Sequence, residues 1–383
     1  MTNIFRSSAP KVAAAAILAS FVGCGPGDGS AEFLGGKAAF DAGDNKKAGK
    51  LFAKCVELAP DNVDALVYLA RIKLAVGELP EAGAWIAKAE ELVSGDVDVK
   101  LLSAQIAWHL KDYEKAASLY SSVADDASLD ASLRAEGCTG LGIVEMARGE
   151  AHLARVAFLR AIRIDRKKAS AWYHLGLLYR EAPFGYLEAA LEQLEIFVRL
   201  DENASPRVQK TLRVLIPGLK ESIARAAAER PGAAQRNSAQ CSTAISKAEA
   251  AVKKGAWKTA RQCYQEALDA DALSYPAALG LAKALLKVDA SKTGQSKAFE
   301  MYKLACSLRP GAVKTFIEAG EFATKIGMHG QAVEIYSRAV AANPGSIPAI
   351  DGLIKALRKV GGRQKEASAY QRYRDSVSAP AKK

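Results

Sequence analysis

The sequence is poor in aromatic residues and in the motifs on which catalysis usually depends. Phe, Trp and Tyr make up only 7% of the 383 residues, although half of all residues are apolar. There is no HExxH, no GxSxG and no C-x-x-C motif, and no glycine-rich phosphate loop follows a strand. The low aromatic content, in a chain that is half apolar, favours close packing of helices through small residues. We expect no catalytic residues, no cofactor, no metal site and no small-molecule substrate, and therefore no enzyme.

Cysteine is also scarce, and its spacing favours neither metal binding nor a disulfide framework. Five cysteines follow Cys24, an odd number. Cys55, Cys138 and Cys306 fall at small-residue packing positions, which predicts buried free thiols. Cys241 borders a predicted linker, so we expect it to be the most reactive of the five.

Long apolar runs are missing as well, apart from a short one near the amino terminus. Eleven uncharged residues, Val12 to Val22, follow the only two early charges, Arg6 and Lys11, and end at Gly23. A spanning helix needs about 20 apolar residues. A basic start, a short apolar core and a small residue are typical of a secretory signal peptide, here residues 1–23.

The residues that end this segment, Phe21-Val22-Gly23-Cys24, resemble the lipobox of bacterial lipoproteins. The resemblance implies that Cys24 is lipidated and begins the mature chain, with residues 24–33 as lipidated terminus and tether. Gly25 stands where an Asp would resemble an inner-membrane retention signal, which implies an outer-membrane lipoprotein facing the periplasm. The alternative is an ordinary signal peptide with an incidental cysteine nearby.

The rest of the chain repeats a pattern of two amphipathic helices. Around residue 170, Trp172, Leu175, Gly176 and Tyr179 follow helical spacing, and a second helix carries Ala190, Leu194 and Phe197. The segment resembles the tetratricopeptide repeat, a helix-turn-helix unit of about 34 residues. The second-helix pattern of Ala, an aromatic and a small residue recurs at Ala48, Phe52 and Cys55; at Ala116, Tyr120 and Val123; at Ala154, Phe158 and Ala161; at Ala260, Tyr264 and Ala267; at Ala298, Tyr302 and Ala305; and at Ala332, Tyr336 and Ala339.

Nine such units fit into the chain, including weaker copies around Ala82 and Tyr370. The resemblance implies an all-α fold, a right-handed superhelical solenoid whose groove binds peptides or proteins. We expect units 1–5 at 34–203, an irregular helix and linker at 204–240, units 6–9 at 241–376 and a flexible tail at 377–383. The helix of the middle segment is predicted to be interrupted at Pro217-Gly218.

Charge separates the two blocks. Residues 24–203 hold 21 Lys+Arg against 28 Asp+Glu, a net of −7, whereas residues 204–383 hold 30 against 14, a net of +16. Such a basic half is expected to attract an anionic surface or partner. With an export signal and no familiar nucleic-acid-binding motif, we expect no nucleic-acid partner.

Within the basic half, one lysine recurs at the same repeat position. In units six to nine it is Lys253, Lys287, Lys325 and Lys359, and Lys283 and Lys355 lie one helical turn earlier on the same faces. These lysines are candidates for binding an acidic peptide. Tyr173 and His174 are further candidates for binding in the groove. The alternative is that a lysine in a last helical turn only offsets the helix dipole.

Three functions fit these observations. The first is a membrane-anchored scaffold of the cell envelope that binds protein or peptide partners in its groove. The second is a lipoprotein whose basic half binds an anionic envelope polymer or the membrane surface. The third is an enzyme with a site in residues 204–240 or in the repeat insertions around Pro183-Phe184-Gly185 and at Val288 to Lys297. It lacks the clustered polar residues that it would need.

Overall fold

A computed structural model describes residues 28–229 and 237–378. Within these ranges the chain forms nineteen helices and no strand, which confirms the predicted all-α class of helical-repeat solenoid. The handedness of the superhelix stays a prediction. The signal peptide, Cys24 and most of the predicted tail lie outside the described residues. The described residues form two compact units, and the division between them falls between Tyr120 and Ser121.

The first unit contains five complete helices and the start of a sixth. They are α1 (Ser30–Asp41), α2 (Asn45–Leu58), α3 (Val63–Val76), α4 (Leu79–Leu92), α5 (Val97–His109) and α6 (Tyr113–Asp125), the last of which crosses into the second unit. Helix α1 begins four residues before the predicted first repeat. Several helices begin where the sequence supplies a capping side chain: Asp44, Asn62 and Asp96 each accept a hydrogen bond from the backbone N–H three residues later.

Most turns between paired helices place one residue in the left-handed region. Gly77 takes a φ of 85° between α3 and α4, which costs glycine little because it has no Cβ. Thirty-four residues later, Lys111 takes the same place between α5 and α6 with a φ of 64°. The repeat therefore imposes this conformation even where the sequence offers no glycine.

The core of the first unit is built on the small-aromatic pattern. Ala48, Phe52 and Cys55 are fully buried on α2. The Phe52 ring stacks on Tyr68 with their centroids 4.7 Å apart. A Cβ on Gly36 would lie 2.8 Å from the Phe52 ring, so only glycine lets α1 approach this closely.

The second unit continues the pattern of helix pairs, with one unpaired helix in the middle. Its helices are α7 (Ala131–Ala147), α8 (Ala151–Ile164), α9 (Ala169–Arg180), α10 (Leu187–Leu200), α11 (Pro206–Ala228), α12 (Ser238–Lys253), α13 (Trp257–Ala270), α14 (Tyr275–Val288), α15 (Lys292–Leu308), α16 (Val313–Lys325), α17 (His329–Ala342), α18 (Ile347–Lys359) and α19 (Gln364–Ser378). Each pair from α7–α8 to α18–α19 packs internally, and α11 packs on α10.

The prediction that the middle helix is interrupted at Pro217-Gly218 is wrong. Helix α11 runs through Pro217 without a break over 23 residues. Proline removes one helical hydrogen bond and crowds the carbonyl four residues earlier. Both Pro217 and Arg213 are exposed, so water reaches this face of the helix, and the loss is smaller than in a buried helix.

The two ends of the second unit meet. Helix α19, the last helix of the described residues, packs against α8, which belongs to the fourth helix pair. The outer side of the last repeat is therefore covered by an earlier part of the same unit. A terminal repeat otherwise needs a polar outer face to stay soluble.

Candidate partner-binding surfaces

The recurring lysines lie at the carboxyl ends of consecutive first helices. Lys253, Lys325 and Lys359 are the last residues of α12, α16 and α18, and Lys287 is the penultimate residue of α14. All four are exposed. We call these four residues the lysine row. Every member lies in a last helical turn, where it also offsets the helix dipole at about 0.3–1 kcal/mol. The positions are therefore compatible with both interpretations of the pattern.

The lysines differ in what surrounds them. Lys283 forms an ion pair with Glu318 of the next repeat, with Nζ 2.8 Å from Oε2. The Lys287 ammonium lies 5.9 Å from the centre of the Trp257 ring, at the limit of a cation–π contact. Among the described residues, no carboxylate pairs with Lys253, Lys325, Lys355 or Lys359. Most of these charges are therefore available to a partner.

Tyr173 and His174 do not lie on an accessible surface. Both are buried on α9, with His174 only 6% exposed. The His174 ring stacks on Phe158 at 5.7 Å, and Tyr173 packs against Phe197 at 5.1 Å. Burial lowers the pKa of His174 to about 4, so the ring is neutral at physiological pH. The expectation that they line a groove is corrected: they fill the space between α8, α9 and α10.

All five cysteines of the described residues are buried and free. This confirms the prediction for Cys55, Cys138 and Cys306. Burial raises the pKa of Cys138 to about 11 and that of Cys306 to about 12, which keeps both as unreactive thiols. Cys241 is only 5% exposed, so the expectation that it is the most reactive one loses its basis.

A buried arginine joins α8 to the last two repeats. Arg155 has no exposed surface. Its Nε donates to the Tyr370 hydroxyl of α19 at 2.5 Å, and its terminal nitrogens donate to the carbonyl and hydroxyl oxygens of Ser337 on α17 at 3.1 and 3.3 Å. The rings of Phe184 and Tyr370 lie 4.9 and 5.1 Å from the guanidinium carbon. Hydroxyls, a carbonyl and aromatic faces thus stabilise this charge instead of a carboxylate.

His152 lies one turn before Arg155 at the same junction. Its ring packs edge-on against Phe184 at 5.0 Å, and its Nδ1 lies 3.8 Å from Glu366 of α19. Burial and the neighbouring Arg155 and Arg363 lower the pKa of His152 to about 3. The ring is therefore neutral at physiological pH, and its contact with Glu366 is not an ion pair.

Sequence reasoning missed this junction. Arg155 follows the repeat alanine of α8 and looks like any charged residue on a helix surface. Its partners, Ser337 and Tyr370, lie 182 and 215 residues further along the chain. The sequence around Arg155 does not indicate a contact with residues so far along the chain.

A cleft of about 230 Å³ opens beside the junction. One wall is the first part of α10, with Glu188 and Glu192. Opposite it lie the turn from α15 to α16 and the last turn of α17. Arg338 stands at one side, its guanidinium 5.4 Å from the Tyr186 ring and 3.3 Å from Glu334. The cleft is smaller than the roughly 300–1,000 Å³ of typical small-molecule sites.

The described part of the chain offers neither a metal centre nor a membrane span. It contains no group of three His, Cys, Asp or Glu side chains that could hold a metal ion. None of its helices is both long enough and apolar enough to cross a bilayer.

Several solved structures resemble parts of the chain. MamA from Desulfovibrio magneticus RS-1 is 14% identical to this chain. The match covers 46% of this chain and 97% of the MamA chain, with a TM-score of 0.40. The structure of pilF from Pseudomonas aeruginosa is 16% identical and covers 63% of this chain and 91% of its own length, with a TM-score of 0.39. TTC0263, a thermophilic TPR protein of Thermus thermophilus, is 18% identical, and the match covers 50% of this chain and 99% of the other, with a TM-score of 0.41.

No curated protein matches the sequence. One family model does, and it describes no catalytic domain. Residues 39–106, from the end of α1 to α5, match the model described as Tetratricopeptide repeat, and this segment of the chain is similar to that family.

Proposed function

We propose that this protein is a lipid-anchored scaffold of the bacterial cell envelope, which binds protein or peptide partners on its helical repeats. The helical-repeat fold is of the kind that serves protein–protein interaction. The fold alone does not define a function, so the proposal depends on specific surfaces. It uses no catalytic group and no cofactor.

The observation that carries the proposal is the lysine row. Four exposed lysines lie at the ends of four successive first helices, and none of them has a carboxylate partner among the described residues. Equivalent positions in the first five repeats hold Asp41, Ala75, His109, Ala147 and Glu181. A row that is restricted to one half of the array fits an extended acidic segment of a partner, which could contact several repeats in turn.

Membrane attachment is proposed from the sequence. The lipobox-like Phe21-Val22-Gly23-Cys24 supports lipidation of Cys24, and Gly25 supports the outer membrane as the destination. Several acyl chains would anchor the protein firmly, at about 0.8 kcal/mol for each buried methylene. Metabolic labelling with a radioactive fatty acid tests this step, because a Cys24→Ser variant should lose the label.

A second candidate is favoured by the net charge of +16 over residues 204–383. In this version the basic half binds an anionic envelope polymer or lipid headgroups. Such binding would depend on total charge and salt rather than on particular lysines.

A comparison of two charge-matched variants tests the proposal. The lipidated protein serves as bait in detergent-solubilised envelope, beside a variant with all four row lysines changed to Glu. The control variant carries four exposed lysines of second helices changed to Glu: Lys258, Lys292, Lys297 and Lys365. Both variants change the net charge equally.

We expect a discrete protein that the wild type and the control capture and the row variant loses. Equal loss in both variants, with salt-sensitive retention of glycan or lipid, would favour the polymer-binding function. Equal capture by all three proteins would show that the lysine row is not the binding surface.

A further inference from the structure

The cleft beside α10 has a charge opposite to that of the surrounding half of the chain. Glu188 and Glu192 lie one turn apart on α10, and both are exposed. No cation of the described residues forms an ion pair with either of them. Glu188 lies in the first turn, where it also offsets its helix dipole. Glu192 lies one turn later, where the interaction with the helix dipole is weaker and explains less of its presence.

The helix ends at the cleft add to this negative field. Helices α15 and α17 both end there, and the carboxyl end of a helix carries partial negative charge on its unpaired carbonyl groups. The one arginine at the cleft, Arg338, is already engaged by Glu334 and by the Tyr186 ring. The mouth of the cleft therefore favours a cation from outside.

The cleft has an apolar part beside its charged groups. It is formed in part by Ala189, Phe316 and Ala341, and by Cys306, whose thiol stays neutral because it is buried. A volume of about 230 Å³ suits one long side chain better than a metabolite. Lysine and arginine combine an apolar stem with a charged end, and they commonly bury the stem while the charge stays near the surface.

We propose that this cleft receives a single lysine or arginine side chain of a partner protein. The stem packs between α10 and α17, and the charged end pairs with Glu188 and Glu192. The inference rests on the proposed interaction function, but it uses another surface than the lysine row and the opposite charge. A partner with one basic and one acidic segment could use both surfaces.

Short fluorescein-labelled peptides test the inference without knowledge of the partner. They differ only in their central residue, which is Arg, Lys, Gln or Glu between small flanking residues. We expect fluorescence anisotropy to show binding of the Arg and Lys peptides and weaker binding of the other two. The variant with Glu188→Gln and Glu192→Gln should raise the dissociation constant of the basic peptides about three- to tenfold, because exposed ion pairs contribute modestly.

A charge-matched control variant carries Glu249→Gln and Glu266→Gln, two exposed glutamates on other helices of the same unit. It should bind the basic peptides like the wild type. A further variant, Ala342→Trp, narrows the cleft from an exposed position and should weaken binding without removing a charge.

Three results would overturn the inference. The first is equal or undetectable binding of the Arg and Gln peptides, and the second is an equal effect of the two glutamate variants. The third is binding that requires deletion of residues 379–383, which would identify the chain's own Lys382 and Lys383 as the occupants. Capture of a partner through the lysine row is a separate readout, so failure here leaves the proposed function standing.

Discussion

Arg155 and Tyr370 are 215 residues apart in the sequence, yet the guanidinium of one donates to the hydroxyl of the other in the core. This bond lies where the last repeat packs on the fourth. Tyr370 is completely buried and Tyr373 almost completely, so this face of α19 is covered by other helices of the same unit. Residues of α10 and α17 in the same unit line the cleft.

Stability should fall in mild acid because His174 is buried as a neutral ring. Its pKa is lowered from 6.5 to about 4 by burial. Between these values the unfolded chain binds a proton that the folded chain excludes, so stability is lost as the pH falls from about 6.5 to about 4. At pH 5 the loss from this residue is about 2 kcal/mol.

Urea unfolding of the wild type and a His174→Phe variant at pH 7.5 and pH 5 measures this effect. The variant keeps an aromatic ring against Phe158 and cannot titrate. We expect a smaller loss of stability on acidification in the variant. An equal loss in both proteins would mean that His174 is protonated in the folded state.

The helix pairs should not tolerate a methyl group where a first helix approaches an aromatic ring. A Cβ at Gly320 would lie 2.7 Å from Cζ of Tyr336. Gly320→Ala should therefore destabilise the second unit by about 1–3 kcal/mol. Gly330→Ala is the control, because no atom lies within 4 Å of its Cβ position on helix α17. The control should be neutral or stabilising by up to about 1 kcal/mol, and equal losses would contradict the packing described.

The first unit should gain stability from a glycine at position 111. Lys111 holds a left-handed conformation that costs about 1–2 kcal/mol for a residue with a Cβ. Part of this gain is lost to the greater freedom of glycine in the unfolded chain, so Lys111→Gly should stabilise by about 0.5–1 kcal/mol. Lys111→Ala, which keeps the Cβ, should bring no such gain. Thermal unfolding of the three proteins distinguishes these outcomes.

The repeat pattern predicted the helices because each repeat carries its own local signals. Ala298, Tyr302 and Ala305 lie one turn apart, and all three are buried on α15. The same is true of Ala332, Tyr336 and Ala339 on α17. Spacing of this kind depends only on the helical period, so it can be read from the sequence.

The surfaces were predicted less well because they depend on distant parts of the chain. His174 looked like a surface residue, since the sequence does not reveal that Phe158 covers it. The sequence analysis did not single out Arg155, because its partners Ser337 and Tyr370 lie far away in the sequence. The cleft joins α10 to α17, and nothing in the sequence of either helix indicates the other. The position of the lysine row at helix ends was predicted, whereas its role as a binding surface stays a prediction.

The most direct test of this account measures the coupling between Arg155 and Tyr370, because both proposed surfaces belong to the unit that they close. Urea unfolding of the wild type, Arg155→Met, Tyr370→Phe and the double variant completes the cycle. Loss of the Tyr370 hydroxyl leaves a buried guanidinium N–H without its partner, so Tyr370→Phe alone should cost about 1–3 kcal/mol. In the Arg155→Met background the same change should cost almost nothing, which gives a coupling energy of about 1–3 kcal/mol. Additive effects would mean that the two residues do not interact and that the last repeat is not held against the fourth in this way.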